Sequence, residues 1–312
     1  MSRTMPLRMQ PASFFVLLCI LKCIGVVFAV CTVSKHEEGH GDRLQCSNAS
    51  LETILSQTST DVSAIMILQS NLKSIPQRAF RKYSNTLESL NIHKCRVTDI
   101  DPQAFDTLSK LKKLGLPNNG ITGVKEEWFK DLVYLQQLDL SFNRITSIES
   151  RIFGKLMLLK RLDIRENRIT CLEPSFPGGI HKLYFSGNPV TFTCRGKLTR
   201  WLRDHGVSYE ADQSERETWL DNLLWLCAIG DPDLGKSEVL MKECVVLNLF
   251  NQLRTGLTTA ESYPLTVRQE CVDARVLLTS CIAAEAQKEQ AFTNGNMIVK
   301  LLLYLRQTKM TV

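Results

Sequence analysis

One spacing of apolar residues is written six times between positions 62 and 190, and few folds accommodate it. Its clearest copy runs Leu135, Leu138, Leu140, Asn143, Ile145, Ile148 and Phe153, or L-x-x-L-x-L-x-x-N-x-L-x-x-L-x-x-x-x-F. The pattern restarts at Leu159, with Leu162, Ile164, Asn167, Ile169 and Leu172. Upstream it reads Leu111, Leu114, Leu116, Asn119, Ile121, Val124 and Phe129, and before that Leu87, Leu90, Ile92, Cys95, Val97, Ile100 and Phe105. The first copy is Val62, Ile65, Ile67, Ser70, Leu72, Ile75 and Phe80, and a shortened sixth is Ile180, Leu183, Phe185, Asn188 and Val190. The starts lie 25, 24, 24, 24 and 21 residues apart. A unit this short cannot bury its apolar side alone, so the copies must stack on one another.

Units of this pattern and length are leucine-rich repeats, and residues 62–196 are expected to form an α/β leucine-rich repeat solenoid of six repeats. The L-x-x-L-x-L segment of each copy becomes a short strand, and strands about 4.8 Å apart build a parallel sheet on the concave side. The slot filled by Asn119, Asn143, Asn167 and Asn188 calls for a small polar side chain that bonds buried backbone groups of adjacent turns. Ser70 fills it in the first copy and Cys95 in the second. Cysteine is an accepted alternative there, so Cys95 is expected to be a buried structural thiol rather than a reactive one. Phe80, Phe105, Phe129 and Phe153 recur as a core spine rather than as a ligand-binding stripe.

The ends of such a stack need covering. The chain opens with Arg3 and Arg8, then an apolar run over residues 14–30 broken only by Lys22, with Val27 and Ala29 suited to cleavage after Ala29. Residues 1–29 therefore read as a secretory signal peptide, the alternative being an uncleaved anchor. No later apolar run is long enough to span a bilayer. Eleven cysteines are present, and nine remain once Cys19 and Cys23 leave with the leader. In an oxidising compartment disulfides follow, and an odd count leaves at least one thiol free or shared with another chain. Residues 30–61 form the N-terminal cap, with Cys31 and Cys46 as a candidate pair. Asn48, Ala49 and Ser50 make the one N-glycosylation sequon. The cap also holds His36, Glu37, Glu38, Gly39 and His40, a match to the zinc-protease string H-E-x-x-H. That chemistry needs both histidines on one face of a helix, and neither flank carries helical periodicity, so the string reads as a polar loop.

Downstream, residues 197–213 read as a C-terminal cap built on the amphipathic Lys197, Leu198, Thr199, Arg200, Trp201 and Leu202, with Trp201 over the core's end. Cys171 and Cys194 occupy nearby offsets in neighbouring coils and are a reasonable pair. From residue 214 to 312 the pattern becomes helical. A capping box at Ser214 and Glu217 precedes Trp219, Leu220, Leu223, Leu224 and Cys227; Asp231, Pro232, Asp233 and Gly235 make a turn rather than a calcium loop. A second helix is expected from Ser237 through Leu240, Cys244, Leu247 and Phe250, a third over 266–291 and a fourth over 297–306. Cys271 and Cys281 lie about 15 Å apart on one helix, too far to bond each other, so each is expected to reach Cys227 or Cys244 or to leave the chain.

No nucleophile elbow, phosphate loop or credible metal set is present, so neither an enzyme nor a cofactor is expected. A net charge of +6 is too mild for a nucleic-acid binder. What a solenoid offers is its concave surface. The exposed strand positions include Lys112, Lys113, Lys160, Arg161, His181 and Lys182, with Glu88 opposing; later positions bring His93, Lys94, Phe142, Arg165 and Tyr184 against Asp139, Asp163 and Glu166. Bases gather along one edge and acids toward the middle, which suits an acidic protein or glycan, with Phe142 and Tyr184 as candidate anchors.

The leader, the two-cysteine cap, repeats such as LQQLDLSFNRITSI and the cysteine-bearing helical tail together resemble insect secreted leucine-rich repeat proteins, in particular the leucine-rich immune proteins of mosquitoes. The resemblance implies haemolymph defence through complexes with complement-like thioester proteins or with another repeat protein. The long coiled coil of the well-known members is missing, so the chain resembles a short or coil-less form. The rival expectation is an extracellular matrix or adhesion protein, or a shed receptor ectodomain; a secreted enzyme built on the cap motif is the third.

Overall fold

The computed structural model describes residues 29–36, 41–56, 61–210, 221–227 and 236–242, with 244, 245 and 248. Residues 1–28 of the expected 1–29 leader, the expected third and fourth tail helices, and Cys271 and Cys281 lie outside the described residues.

Strand β1 (Val30–Lys35) opens the chain and pairs antiparallel with β2 (Asp42–Ser47), Cys31 opposite Cys46. Every later strand of the main sheet runs parallel, starting with β3 (Val62–Leu68). The short β4 (Ser74–Ile75) and β6 (Asp99–Ile100) pair with each other away from it, while β5 (Ser89–His93) joins β3. Then follow β7 (Lys113–Gly115), β8 (Gln137–Asp139), β9 (Arg161–Asp163), β10 (Lys182–Tyr184) and β11 (Ser208–Glu210), giving a sheet of nine strands among the described residues. Leu90, Leu114, Leu138, Leu162 and Leu183 are register partners in turn, so the same inward position stacks coil upon coil. All five are buried, as are Phe80, Phe105, Phe129 and Phe153. The chain is thus a leucine-rich repeat solenoid with a parallel sheet.

The slot residues form the ladder that the spacing predicts. Asn143 accepts from Ile121 N at 3.2 Å and donates to the carbonyls of Leu116, Leu140 and Ser141. Asn167 repeats this with Ile145 N, Leu140, Ile164 and Arg165. Cys95 places its thiol 3.2 Å from the His93 carbonyl, and is free and buried. Immediately before the slot the backbone is left-handed in coil after coil: Gln69, Lys94, Asn118, Phe142 and Glu166 have φ between 47 and 56°. Glycine takes that position in the sixth copy, at Gly187.

Both ends are closed by disulfides where the sequence suggests them. Cys31 and Cys46 are bonded with Cα atoms 4.1 Å apart, and Cys171 and Cys194 with Cα atoms 5.3 Å apart. The H-E-x-x-H string spans the link between β1 and β2, whose ends Lys35 and Asp42 are register partners. His36 N donates to Gly41 O at 3.2 Å across this link, and His36 Nδ1 lies 2.9 Å from Ser63 Oγ. Residues 37–40, which hold the rest of the string, lie outside the described residues.

Helix α1 (Leu51–Leu55) follows β2, N-capped by Ser50. Helix α2 (Phe192–Asp204) starts earlier than the amphipathic stretch at Lys197, because Thr191 caps it and accepts from Cys194 N. Leu198 and Leu202 close the core, and Trp201 packs 5.4 Å from Phe176. Residues 221–227 and 238–242 are helical and lie against α2. Arg195 Nε donates to buried Asp221 at 2.5 Å, and Met241 reaches Gly196. Here one expectation is corrected. Cys227 and Cys244 bond each other, Cα atoms 5.9 Å apart, so neither is a partner for Cys271 or Cys281.

Candidate binding surface

The concave face is read off by register. Glu88, Lys112, Gln136, Lys160 and His181 form the column entering the strands, each backbone N–H donating to the carbonyl of the residue before it in this series from Lys112 onward. Beside it run Ser89, Lys113, Gln137, Arg161 and Lys182, register partners in that order. These two columns bring Lys112, Lys113, Lys160, Arg161 and Lys182 to one edge of the sheet. Lys112 Nζ meets Glu88 at 3.0 Å, the one acid in the edge columns. Asn91, Gly115, Asp139, Asp163 and Tyr184 occupy the next outward-facing column, toward the middle.

At the C-terminal end of this surface four side chains lock together. Arg161 and Asp163 alternate along β9 and therefore share a face, and Arg165 lies two residues past the strand's last residue. Asp163 is buried and takes Arg165 Nε at 3.0 Å and Nη2 at 2.7 Å, with Arg161 Nη2 at 4.0 Å. The two guanidinium carbons lie 4.6 and 5.0 Å from the centre of the Tyr184 ring. A planar cation beside an aromatic face is attracted by the ring quadrupole, and a paired carboxylate fixes where it sits. The result is a preorganised cation and aromatic platform. Asp163 is the organiser that sequence reasoning counted only as an opposing acid; its position two residues from each arginine was the available signal.

Lys94 and Phe142 are not brought to that edge. Both occupy the left-handed position beyond the strand, on the opposite rim. Phe142 is 49% exposed there, where the other copies carry Gln69, Lys94, Asn118, Glu166 and Gly187. His93 sits one residue before Lys94; burial and the neighbouring ammonium hold its imidazole below the usual histidine range, against an opposing pull from Asp139. Asn48 is exposed in the turn after β2, and Ser50 Oγ of the same sequon accepts from Thr53 N at 3.1 Å.

Cys171, Glu173 and Cys194 bring three potential metal donors together. The two sulfurs are bonded to each other, and Glu173 Oε1 is 3.8 Å from Cys171 Sγ, so the donor set is spent as a disulfide rather than available to an ion. No helix among the described residues is long and apolar enough to cross a membrane.

The family model described as "Leucine rich repeat" matches residues 85–145 and 134–189. No curated protein matches the chain. Among solved structures, a similar chain is found in the crystal structure of a TLR13–ssRNA13 complex, with 23% identity and a TM-score of 0.42. The match covers 52% of this chain and 26% of that one, so this chain spans about a quarter of its length. The chain carries leucine-rich repeats, a fold that generally serves as a binding scaffold rather than a catalyst.

Proposed function

We propose that this is a secreted leucine-rich repeat protein of innate immune recognition that binds an acidic extracellular protein through the basic edge of its sheet. The observation that carries the reading is the edge itself: Lys112, Lys113, Lys160, Arg161 and Lys182 in two adjoining columns, ending on the Arg161, Tyr184 and Arg165 platform. A partner that buries Tyr184 displaces water from an aromatic ring already held by two cations. Such a ring anchors an interface at small entropic cost, and the lysines steer the approach. A complement-like thioester protein or another repeat protein is the partner that the family resemblance suggests. An apolar leader, the sequon at Asn48 and three disulfides support an extracellular setting. The Cys227–Cys244 bond takes both thiols out of reach of a second chain, so a disulfide-linked complex has to use Cys271 or Cys281.

The test is capture of partners from extracellular fluid by the intact secreted chain, repeated with Lys112, Lys113, Lys160 and Arg161 all changed to Glu. The expected outcome is at least a tenfold loss of the specific partner, with the wild-type interaction weakening as salt rises. Unchanged recovery with the four-site variant removes the basic edge from the function. A matrix glycoprotein as the recovered partner replaces immune recognition with adhesion.

A further inference from the structure

A second surface is uncovered on the flank that feeds the strands. Two residues precede the first inward leucine of each repeat, and across the coils they read Ser109 and Lys110, Val133 and Tyr134, Met157 and Leu158, Gly178 and Gly179. Val133, Tyr134, Met157 and Leu158 are 50, 55, 48 and 43% exposed. Their turns are built alike: Leu135 N donates to Leu132 O at 3.1 Å, and Leu159 N to Leu156 O at 3.0 Å. Lys160 N donates to Gln136 O at 2.8 Å, which holds the two coils at one strand spacing, about 4.8 Å. The four side chains therefore form one ridge.

Folding does not account for it. The core-facing work of these turns is done by Leu132, Leu135, Leu156 and Leu159, all buried. The equivalent positions one coil earlier are polar, and one coil later they are glycines. A Cβ on Gly178 would collide with the Met157 carbonyl, while Gly179, at φ +76°, faces open space. The ridge thus ends in a step beside Met157 and Leu158.

Size and charge narrow the occupant. Four half-exposed apolar side chains make a patch on the order of a few hundred Å², the scale at which a monomer's largest patch is often functional. That falls short of the roughly 800 Å² per partner of a stable dimer, which argues against a second copy of this chain. The surroundings are basic. Lys110, Lys130 and Lys160 are exposed and in no ion pair among the described residues, and Lys155 shares Glu126 with Arg151. Asp131, next to Lys130 in the chain, is engaged by Thr107 N at 2.7 Å. The sequon at Asn48 follows its strand, on the flank opposite the ridge.

We infer that this ridge docks a protein segment carrying adjacent apolar side chains bracketed by Asp or Glu, the apolar pair seated against Tyr134 and Leu158 and the carboxylates meeting Lys110, Lys130 and Lys160. This extends the partner's footprint from the concave edge onto the flank, and it rests on the earlier reading for the choice of a protein partner.

The experiment pans a random-peptide phage library on the intact secreted chain. Three variants serve as comparison targets: Tyr134→Ser with Leu158→Ser, Lys110→Glu with Lys130→Glu, and the four-site edge variant. Selected peptides are expected to carry two adjacent apolar residues beside Asp or Glu. They should bind the first variant at least tenfold more weakly and the second at least threefold more weakly. Val133→Ser with Met157→Ser repeats the first arm at independent positions, and unchanged circular dichroism melts confirm that each target is folded. The inference is overturned by failure to enrich any motif, or by peptides retained in full on the ridge variants. Peptides retained there but lost on the four-site variant overturn the ridge and leave the concave edge standing. Self-association of the wild-type chain that the ridge variants abolish, read by sedimentation, overturns the choice of partner in favour of a second copy.

Discussion

At the scale of single residues, each coil depends on one amide that satisfies backbone groups no strand or helix reaches. Asn143 is buried, takes the N–H of Ile121 from the coil before, and returns hydrogen bonds to carbonyls of both coils. Asn143→Ala strands those groups without water, and each unsatisfied buried polar group costs about 1–3 kcal/mol. The expected loss is about 3 kcal/mol, read as a fall in the urea midpoint. Cys95→Ser should behave differently and stay within about 1 kcal/mol, because Ser70 does the same work one coil earlier. The Cys95 sulfur donates to the His93 and Ile67 carbonyls, at 3.2 and 3.5 Å. Burial also pushes its thiol upward, outweighing a backbone hydrogen bond near Ser70 that lowers it. Little thiolate forms at neutral pH, so the native chain should leave Cys95 unlabelled by thiol reagents until it unfolds.

At the scale of elements, the join between the repeats and the tail is the most specific contact described. Glu238 takes the N–H of Phe192 and of Thr193, each at 2.9 Å, and the Thr193 hydroxyl, also at 2.9 Å. A carboxylate there meets first-turn N–H donors that have no intrahelical acceptor and the positive end of the helix macrodipole at once. Glu238→Ala should lower stability by about 1–2 kcal/mol. Glu238→Gln should lose less, since its amide oxygen still accepts. Faster hydrogen exchange over residues 236–245, with the repeat strands unchanged, is the reading that checks it; uniform acceleration throughout would mean that Glu238 does not act locally. The sequence could not announce this cap, because a residue 46 positions away in the chain leaves no periodic trace. The strands and the asparagine ladder were legible because the same requirement recurs at fixed spacing. The Cys31–Cys46 and Cys171–Cys194 pairs were legible from the need to close a stack at both ends. The Cys227–Cys244 pair was not, since four tail cysteines admit several connections and only packing chooses. The ridge was hidden for a different reason. Val133, Tyr134, Met157 and Leu158 fall at free positions beside true core leucines, where an apolar letter reads as more core.

At the scale of the molecule, a solenoid has no long-range contact to make it all-or-none: each coil touches its neighbours, and stability is a sum of coil and interface terms. The end coils have one neighbour each and would open first. Here each end is stapled, by loops separated by 15 residues at Cys31–Cys46 and 23 at Cys171–Cys194, spans for which a crosslink contributes about 3 kcal/mol in the chain-entropy account. Reduction should therefore act at the ends and spare the middle. Hydrogen exchange on the reduced chain is expected to show lost protection first at Leu44 and Leu183, which sit in the coils nearest the two disulfides, while Leu114 and Leu138, several strands from either crosslink, keep theirs. The platform around Tyr184 lies on β9 and β10, beside the terminal strand β11 and the coil crosslinked by Cys171–Cys194, so partner binding should weaken on mild reduction before the central repeats open. Simultaneous loss of protection at all four leucines would instead mark the array as a single cooperative unit, and binding retained by a chain frayed at Leu183 would move the contact surface toward the centre of the sheet.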